Sequence, residues 1–231
     1  MGHLNIGLGE LASGDYPKAI QCFKNAVENS KDPFYREYSR IFLGFSYLLH
    51  EKFNKAEEEL RTAYNASFKM GFDGSFSLLT EALLGLVSVS KGELSHGIKT
   101  IEMGSAKSKE LGSLTFHAIF EYILGKVYLK MIQGEGPKNL SFFVNNIGFL
   151  LRNYPFAAKK AENHFLKTIA IAKEIGGNGM LGQAYLDLGL LYRLKKRNKQ
   201  ATEYISKAIQ LFEQCAADLF LKQSRKILES L

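Results

Sequence analysis

Glycine recurs in this sequence twelve positions ahead of a second small residue, each time inside an apolar helical pattern. Gly7 precedes Ala19, Gly44 precedes Ala56, Gly85 precedes Gly97 and Gly189 precedes Ala201. A glycine inside a helix costs about 1 kcal/mol relative to alanine, so a repeated one implies a repeated reason. We infer a close crossing, where a second helix passes too near for a side chain. The stretch 182–209, GQAYLDLGLLYRLKKRNKQATEYISKAI, shows the unit in full. Tyr185, Leu188 and Tyr192 share one helical face. Lys195 to Lys199 forms a charged turn, and Ala201, Ile205, Ala208, Ile209 and Phe212 make a second apolar stripe. Small Ala201 and Ala208 let the second helix approach the first.

Four copies of this spacing predict a chain of helical hairpins. A further copy is interrupted, since Gly125 reaches its alanine, Ala161, only after an insertion. Hairpins are expected over about 2–30, 33–70, 75–111, 114–175 and 178–214, with the insertion at 133–155 and a final helix at 216–230. All belong to one array over 1–231, because hairpins stacked in one dimension share a continuous core. With four prolines and little strand-like alternation, the chain reads as all-α. Asp32 or Ser30 is expected to cap the helix that Pro33 opens. The glycines of KSKELGS (107–113) and IAKEIGG (171–177) are expected to close helices. The abrupt apolar start suggests a piece of a longer protein, because terminal repeats need a polar cap.

The insertion is the irregular part. Gln133-Gly134-Glu135-Gly136-Pro137 breaks a helix. Leu140, Val144, Ile147, Leu151 and Tyr154 follow at helical spacing, while Phe142, Phe149 and Phe156 lie off that stripe. This predicts an amphipathic helix over about 139–153, ended by Pro155. It carries more apolar surface than one buried face needs, so it is buried on two sides or offers a patch to a partner. Phe142 and Phe149 are the candidate patch. We expect the helix to fold back near Tyr122, Lys126 and Leu190.

GDYPKAIQCFKNA (14–26) and AYLDLGLLY (184–192) resemble the consensus of the tetratricopeptide repeat (TPR) family. The chain departs from that pattern at Ser88, where an aromatic is usual, and at Gly97, where alanine is usual. Its glycine spacings of 37, 41 and 40 also exceed the family's period of about 34. The resemblance implies an all-α, TPR-type right-handed superhelix of about five helical hairpins, with one inserted helix and a C-terminal capping helix. It also implies that the first helices line a concave groove. Counted around each helix, the groove side holds Phe45, Leu48, Ala82, Leu86, Val89, Tyr122, Lys126, Leu129, Leu186, Leu190 and Arg193. Chaperone-binding members of the family hold a peptide carboxylate with a clamp of Lys, Asn and Arg. Leu4, Leu8, Ile41 and Phe45 stand at the corresponding places here, so that clamp is absent. A largely apolar groove suits an amphipathic helix or peptide. Equally, these residues can pack on one another or on the inserted helix.

IGFLLRNYPFAAKKAENHF (147–165) and the stretch 182–231 resemble the C-terminal TPR region of bacterial multidomain signalling proteins. In those proteins a class III nucleotide cyclase or signalling ATPase domain precedes the repeats. No cyclase or ATPase residues are present here. The resemblance implies a docking or sensor region for a protein or peptide, another domain of the same protein included.

Nothing in the sequence indicates chemistry. Gly7-Leu8-Gly9 and Gly134-Glu135-Gly136-Pro137 lack the remaining glycine and the lysine of a phosphate loop. His3, His50, His96, His117 and His164 form no i,i+4 pair and have no nearby cysteine, so no metal ligand set is indicated. No GxSxG elbow occurs. We therefore expect no catalytic residues and no cofactor. The net charge of +7 includes a basic run at Arg193, Lys195, Lys196, Arg197 and Lys199. An adaptor for nucleic acid or a transcription complex is the alternative that this run supports, but it is confined to one turn where polar residues are expected anyway. Cys22 and Cys215 lie at opposite ends of the array. With no signal peptide and no apolar run of membrane-spanning length, we expect a cytoplasmic protein that does not enter a membrane.

Overall fold

The computed structural model describes residues 2–13, 15–71, 74–135 and 140–231. The turn glycine Gly14 and the loop residues Gly136 and Pro137 lie outside the described residues. All regular structure among the described residues is helical: α1 (Gly2–Ser13), α2 (Tyr16–Asn29), α3 (Pro33–Leu49), α4 (Phe53–Met70), α5 (Gly74–Ser90), α6 (Leu94–Glu110), α7 (Leu114–Gln133), α8 (Leu140–Asn153), α9 (Ala157–Glu174), α10 (Asn178–Leu194), α11 (Asn198–Gln214) and α12 (Asp218–Glu229). A 3-10 turn over Tyr154–Phe156 joins α8 to α9. Local chemistry sets several ends. The Asp32 carboxylate accepts from the backbone N–H groups of Phe34 and Tyr35, and Pro33 occupies the first turn of α3, where its missing N–H costs nothing. Gly112 and Gly176 close α6 and α9 at φ 66° and 68°, left-handed values that strain other residues.

Packing divides the chain into two compact units, Met1–Thr100 and Ile101–Leu231, with the division inside α6. In the first unit α1 packs on α2, α2 on α3, α3 on α4 and α4 on α5. Its core includes Ala19, Phe23, Ile41, Ala56, Leu60 and Val87. In the second unit α7 packs on α9, α9 on α10, α10 on α11 and α11 on α12. The partner of α7 is thus the helix that follows the insertion.

The glycine spacing has the expected physical cause. A Cβ on Gly189 would lie 2.6 Å from Ile205 Cγ1 and 3.2 Å from the Ala201 carbonyl. On Gly7 it would meet Phe23 at 2.7 Å, and on Gly44 it would meet Leu60 at 2.7 Å. Each of these large residues sits one turn beyond the small one, and Ala19, Ala56 and Ala201 are fully buried. Gly125 meets Phe165 at 2.6 Å, and Phe165 again sits one turn beyond a fully buried alanine, Ala161. The insertion therefore leaves the crossing of α7 and α9 intact. The departure at Gly97 is explained too: a Cβ there would lie 2.6 Å from the Gly85 carbonyl.

Candidate functional site

The residues expected in a groove separate by burial. In the first unit Leu48 and Ala82 are core residues, while Phe45, Leu86 and Val89 are half-buried. In the second unit Leu129 and Leu186 are core residues, Tyr122, Lys126 and Leu190 are half-buried, and Arg193 is exposed.

What brings the second-unit residues together is Asp187, which sequence reasoning missed. Asp187 lies on α10, buried. Its Oδ2 accepts from the Tyr122 hydroxyl at 2.8 Å, and its Oδ1 accepts from Lys126 Nζ at 3.0 Å. A buried carboxylate needs such partners, because desolvating it without them is prohibitive. Burial, and then the Asp187 charge, push the Tyr122 hydroxyl well above its ordinary range, so it stays a donor. The bridge ties α7 to α10, two first helices of successive hairpins. The available signal was an aspartate in the midst of the apolar run AYLDLGLLY. Beside it on α10, Leu190 and Arg193 continue the face, and Arg193 donates to Ser230 Oγ at 3.2 Å. The part of this face that reaches solvent is therefore mixed rather than largely apolar.

A second buried acid, Glu121, faces the other way from α7. Ser105 Oγ donates to its Oε1 at 2.9 Å, and His164 Nδ1 lies 2.8 Å from its Oε2, with Lys167 Nζ at 3.3 Å. Burial alone would raise this carboxyl, but the hydrogen bonds from His164 and Ser105 and the neighbouring positive charge outweigh it and hold it at about 2. Since Ser105 gives its proton to Glu121, it must accept from His117 Nδ1, 3.1 Å away. His164 stacks on Tyr128 at 5.7 Å, and Lys160 donates both to the Tyr128 hydroxyl and to Asn153 Oδ1. These contacts knit α6, α7, α9 and the end of α8 together. Every buried side-chain polar atom among the described residues has a partner, so the cluster reads as a structural network.

The inserted helix departs from the expectation of burial on two sides. Its bounds match the sequence reading, but its inward face carries Phe142, Asn146, Phe149 and Asn153, with Asn146 and Asn153 buried and the two phenylalanines half-buried. The stripe expected to be buried faces out: Leu140 is 79% exposed, Val144 62%, Ile147 59% and Leu151 74%. The inward asparagines are tolerated because each donates to a backbone carbonyl one turn back, Asn146 to Phe142 and Asn153 to Phe149. The exposed apolar patch is thus the 4-3-4 row, and Phe142 and Phe149 form its underside.

The basic turn is partly committed. Lys195 Nζ lies 2.7 Å from Glu162 Oε2, and the Tyr192 hydroxyl donates to Glu162 Oε1. Lys196, Arg197 and Lys199 are exposed. No helix among the described residues is long and apolar enough to cross a membrane.

Residues 182–215 match a family model described as tetratricopeptide repeat. No curated protein matches the chain. Among solved structures, PlcR of Bacillus thuringiensis, crystallised with the peptide PapR7 and DNA, is similar over 96% of this chain and 72% of its own, with TM-score 0.72 and 14% identity. Aspartyl phosphate phosphatase F of Bacillus subtilis is similar with TM-score 0.69 and 18% identity over 99% of this chain, which spans 54% of that protein. A kinesin-light-chain-type protein of Podosopora anserina with nearly identical TPR-like repeats gives TM-score 0.50 and 12% identity, over 93% of this chain and 95% of its own. At these identities the likeness is one of fold. Residues 182–215 are thus a tetratricopeptide repeat, and the chain has the all-helical fold of sequentially packed hairpins that such repeats build.

Proposed function

We propose that this chain is a non-catalytic protein–protein interaction module that binds a peptide or amphipathic helix along the face shared by α7 and α10. The observation that carries this reading is the Tyr122–Asp187–Lys126 bridge. It holds two successive first helices in register, while Lys126, Leu190 and Arg193 reach the surface beside it. A peptide site needs an apolar anchor with a few fixed polar groups for orientation, and a preorganised one loses less entropy on binding. The fold supports the reading by analogy, since PlcR was solved with a bound peptide. In the first unit, half-buried Phe45, Leu86 and Val89 are the corresponding candidates.

The resemblance of the last third to the C-terminal repeats of bacterial cyclase and ATPase signalling proteins makes this a docking or sensor region in the cytoplasm. The reading frame upstream of Met1 tests that context. A frame with neither a cyclase nor an ATPase domain would remove it and leave the binding role standing.

The binding role is tested by selecting peptides from a displayed library against the full chain. Affinity is then measured by fluorescence anisotropy for the parent and for Leu190→Asp with Arg193→Glu. We expect at least tenfold weaker binding in the double variant. Selected peptides that bind both proteins equally would place the site elsewhere and sink the reading. A nucleic-acid role through 193–199 would instead give binding to generic DNA that falls steeply with salt.

A further inference from the structure

The outward row of α8 has a property that its composition hides. Leu140, Val144, Ile147 and Leu151 are spaced 4-3-4, the seam of two helices packed side by side. That spacing reads the same in both directions. A second α8 laid antiparallel therefore sets Leu140 opposite the other copy's Leu151, and Val144 opposite its Ile147, at both ends of the contact. In the same register Phe143, 48% exposed, lies beside the other copy's Leu150, and Gly148 lies beside its small Ser141. Apart from its chain neighbours and its own helix backbone, no described atom lies within 4 Å of where a Cβ on Gly148 would be. A glycine inside a helix carries a cost, and at Gly7 and Gly125 that cost is explained by a phenylalanine ring from a crossing helix. A second copy would supply a close crossing at Gly148, with its small Ser141 beside that glycine.

We propose that the chain forms a two-fold symmetric dimer through antiparallel pairing of α8 with α8 of a second copy. This does not depend on the α7–α10 reading. The charge pattern selects this occupant. Arg152 is the only charged residue of α8, and antiparallel pairing keeps the two copies of it at opposite ends. The positions flanking the seam, Ser141, Phe143, Gly148 and Leu150, carry no charge with which to select an acidic or basic partner helix. A membrane surface would call for several basic residues along the polar edge. The row with Phe143 offers roughly 500 Å² of apolar surface per copy, hence on the order of 1,000 Å² in a symmetric pair, the threshold of a specific interface. The net charge of +7 on each copy opposes the encounter, so added salt should strengthen the dimer by screening.

The experiment is sedimentation velocity on the full chain over a wide concentration range, at low and at physiological salt. We expect a monomer–dimer equilibrium shifted toward dimer by salt. Val144→Glu with Ile147→Glu should abolish the dimer while circular dichroism stays that of the parent, because both residues face solvent in the monomer. Val144→Glu with Ile147→Lys should dimerise at least tenfold more tightly than the Glu/Glu variant, because each glutamate then meets a lysine of the other copy. Parallel pairing would oppose like charges and give no such recovery. A chain that is monomeric throughout overturns the proposal, as does a dimer that survives the Glu/Glu change. Equal behaviour of the Glu/Lys and Glu/Glu variants overturns the antiparallel register.

Discussion

α8 and α12 both stand outside the paired helices of the hairpins, and they treat their apolar residues in opposite ways. α12 turns Phe220, Ser224, Ile227 and Leu228 inward, stacks Phe220 on Phe212 of α11 at 5.4 Å, and pairs Arg225 with Glu213. Leu219 is exposed, whereas its neighbour Phe220 is half-buried. α8 inverts the pattern, seating two asparagines inward and showing solvent a row of Leu, Val, Ile and Leu. The lesson is that amphipathicity names the faces of a helix without saying which is covered by its own chain. In α12 the apolar residues other than Leu219 are at least partly covered within the chain. In α8 the row Leu140, Val144, Ile147 and Leu151 is not.

Substitutions on the two sides would break this contrast. Gly189→Leu should cost about 3 kcal/mol through overpacking against Ile205 and the Ala201 carbonyl. With Ile205 so near, Gly189→Ala should also destabilise, by about 1 kcal/mol, despite alanine's better helix propensity. Thermal or urea denaturation reads both, and a leucine variant that melts like the parent would show the crossing to be loose.

Glu121→Gln should cost about 2–3 kcal/mol, since it leaves His164 and Lys167 facing a neutral group. The pH dependence sharpens this. The Glu121 carboxyl is held at about 2, below its ordinary 4.5. A depressed acid contributes stability that is fully present above about 4.5 and is lost as pH falls toward 2. Urea titrations of the parent should therefore show stability falling through that window, with a slope reduced in the glutamine variant. Equal slopes would remove Glu121 from the network that holds α6, α7 and α9.

Phe220→Ser should cost about 1–2 kcal/mol, the value of a half-buried ring with one stacking partner. The smallest effect belongs to α8. Leu140→Ser with Leu151→Ser should change the unfolding free energy of the monomer by no more than about 0.5 kcal/mol, because neither side chain is covered. If the α8 pair costs as much as Phe220→Ser in dilute monomer, the contrast between the two helices fails.

Much of this was readable from residue order. The twelve-residue spacing predicted crossings that the structure shows at Gly7, Gly44, Gly97 and Gly189. Asp32, Gly112 and Gly176 marked helix ends because capping is local chemistry, decided within a turn or two. Gly134 was legible in the same way as the end of α7, and Pro155 as the signal just past the end of α8. The candidate groove was less legible. Counting around a helix finds a face, but Leu48, Ala82, Leu129 and Leu186 on that face are covered by neighbours that no local count contains.

Residue order was enough for the helices, their succession and the register of the crossings, because periodicity, caps and glycine spacing act between residues close along the chain. Which side of α8 faces out, and that Asp187 joins Tyr122 and Lys126, came from packing alone. The first depends on what packs beneath the helix, where Asn146 and Asn153 can lie inward because backbone carbonyls accept their amides. The second joins side chains 65 and 61 residues apart, and a contact over that distance exists only once the helices between them have packed.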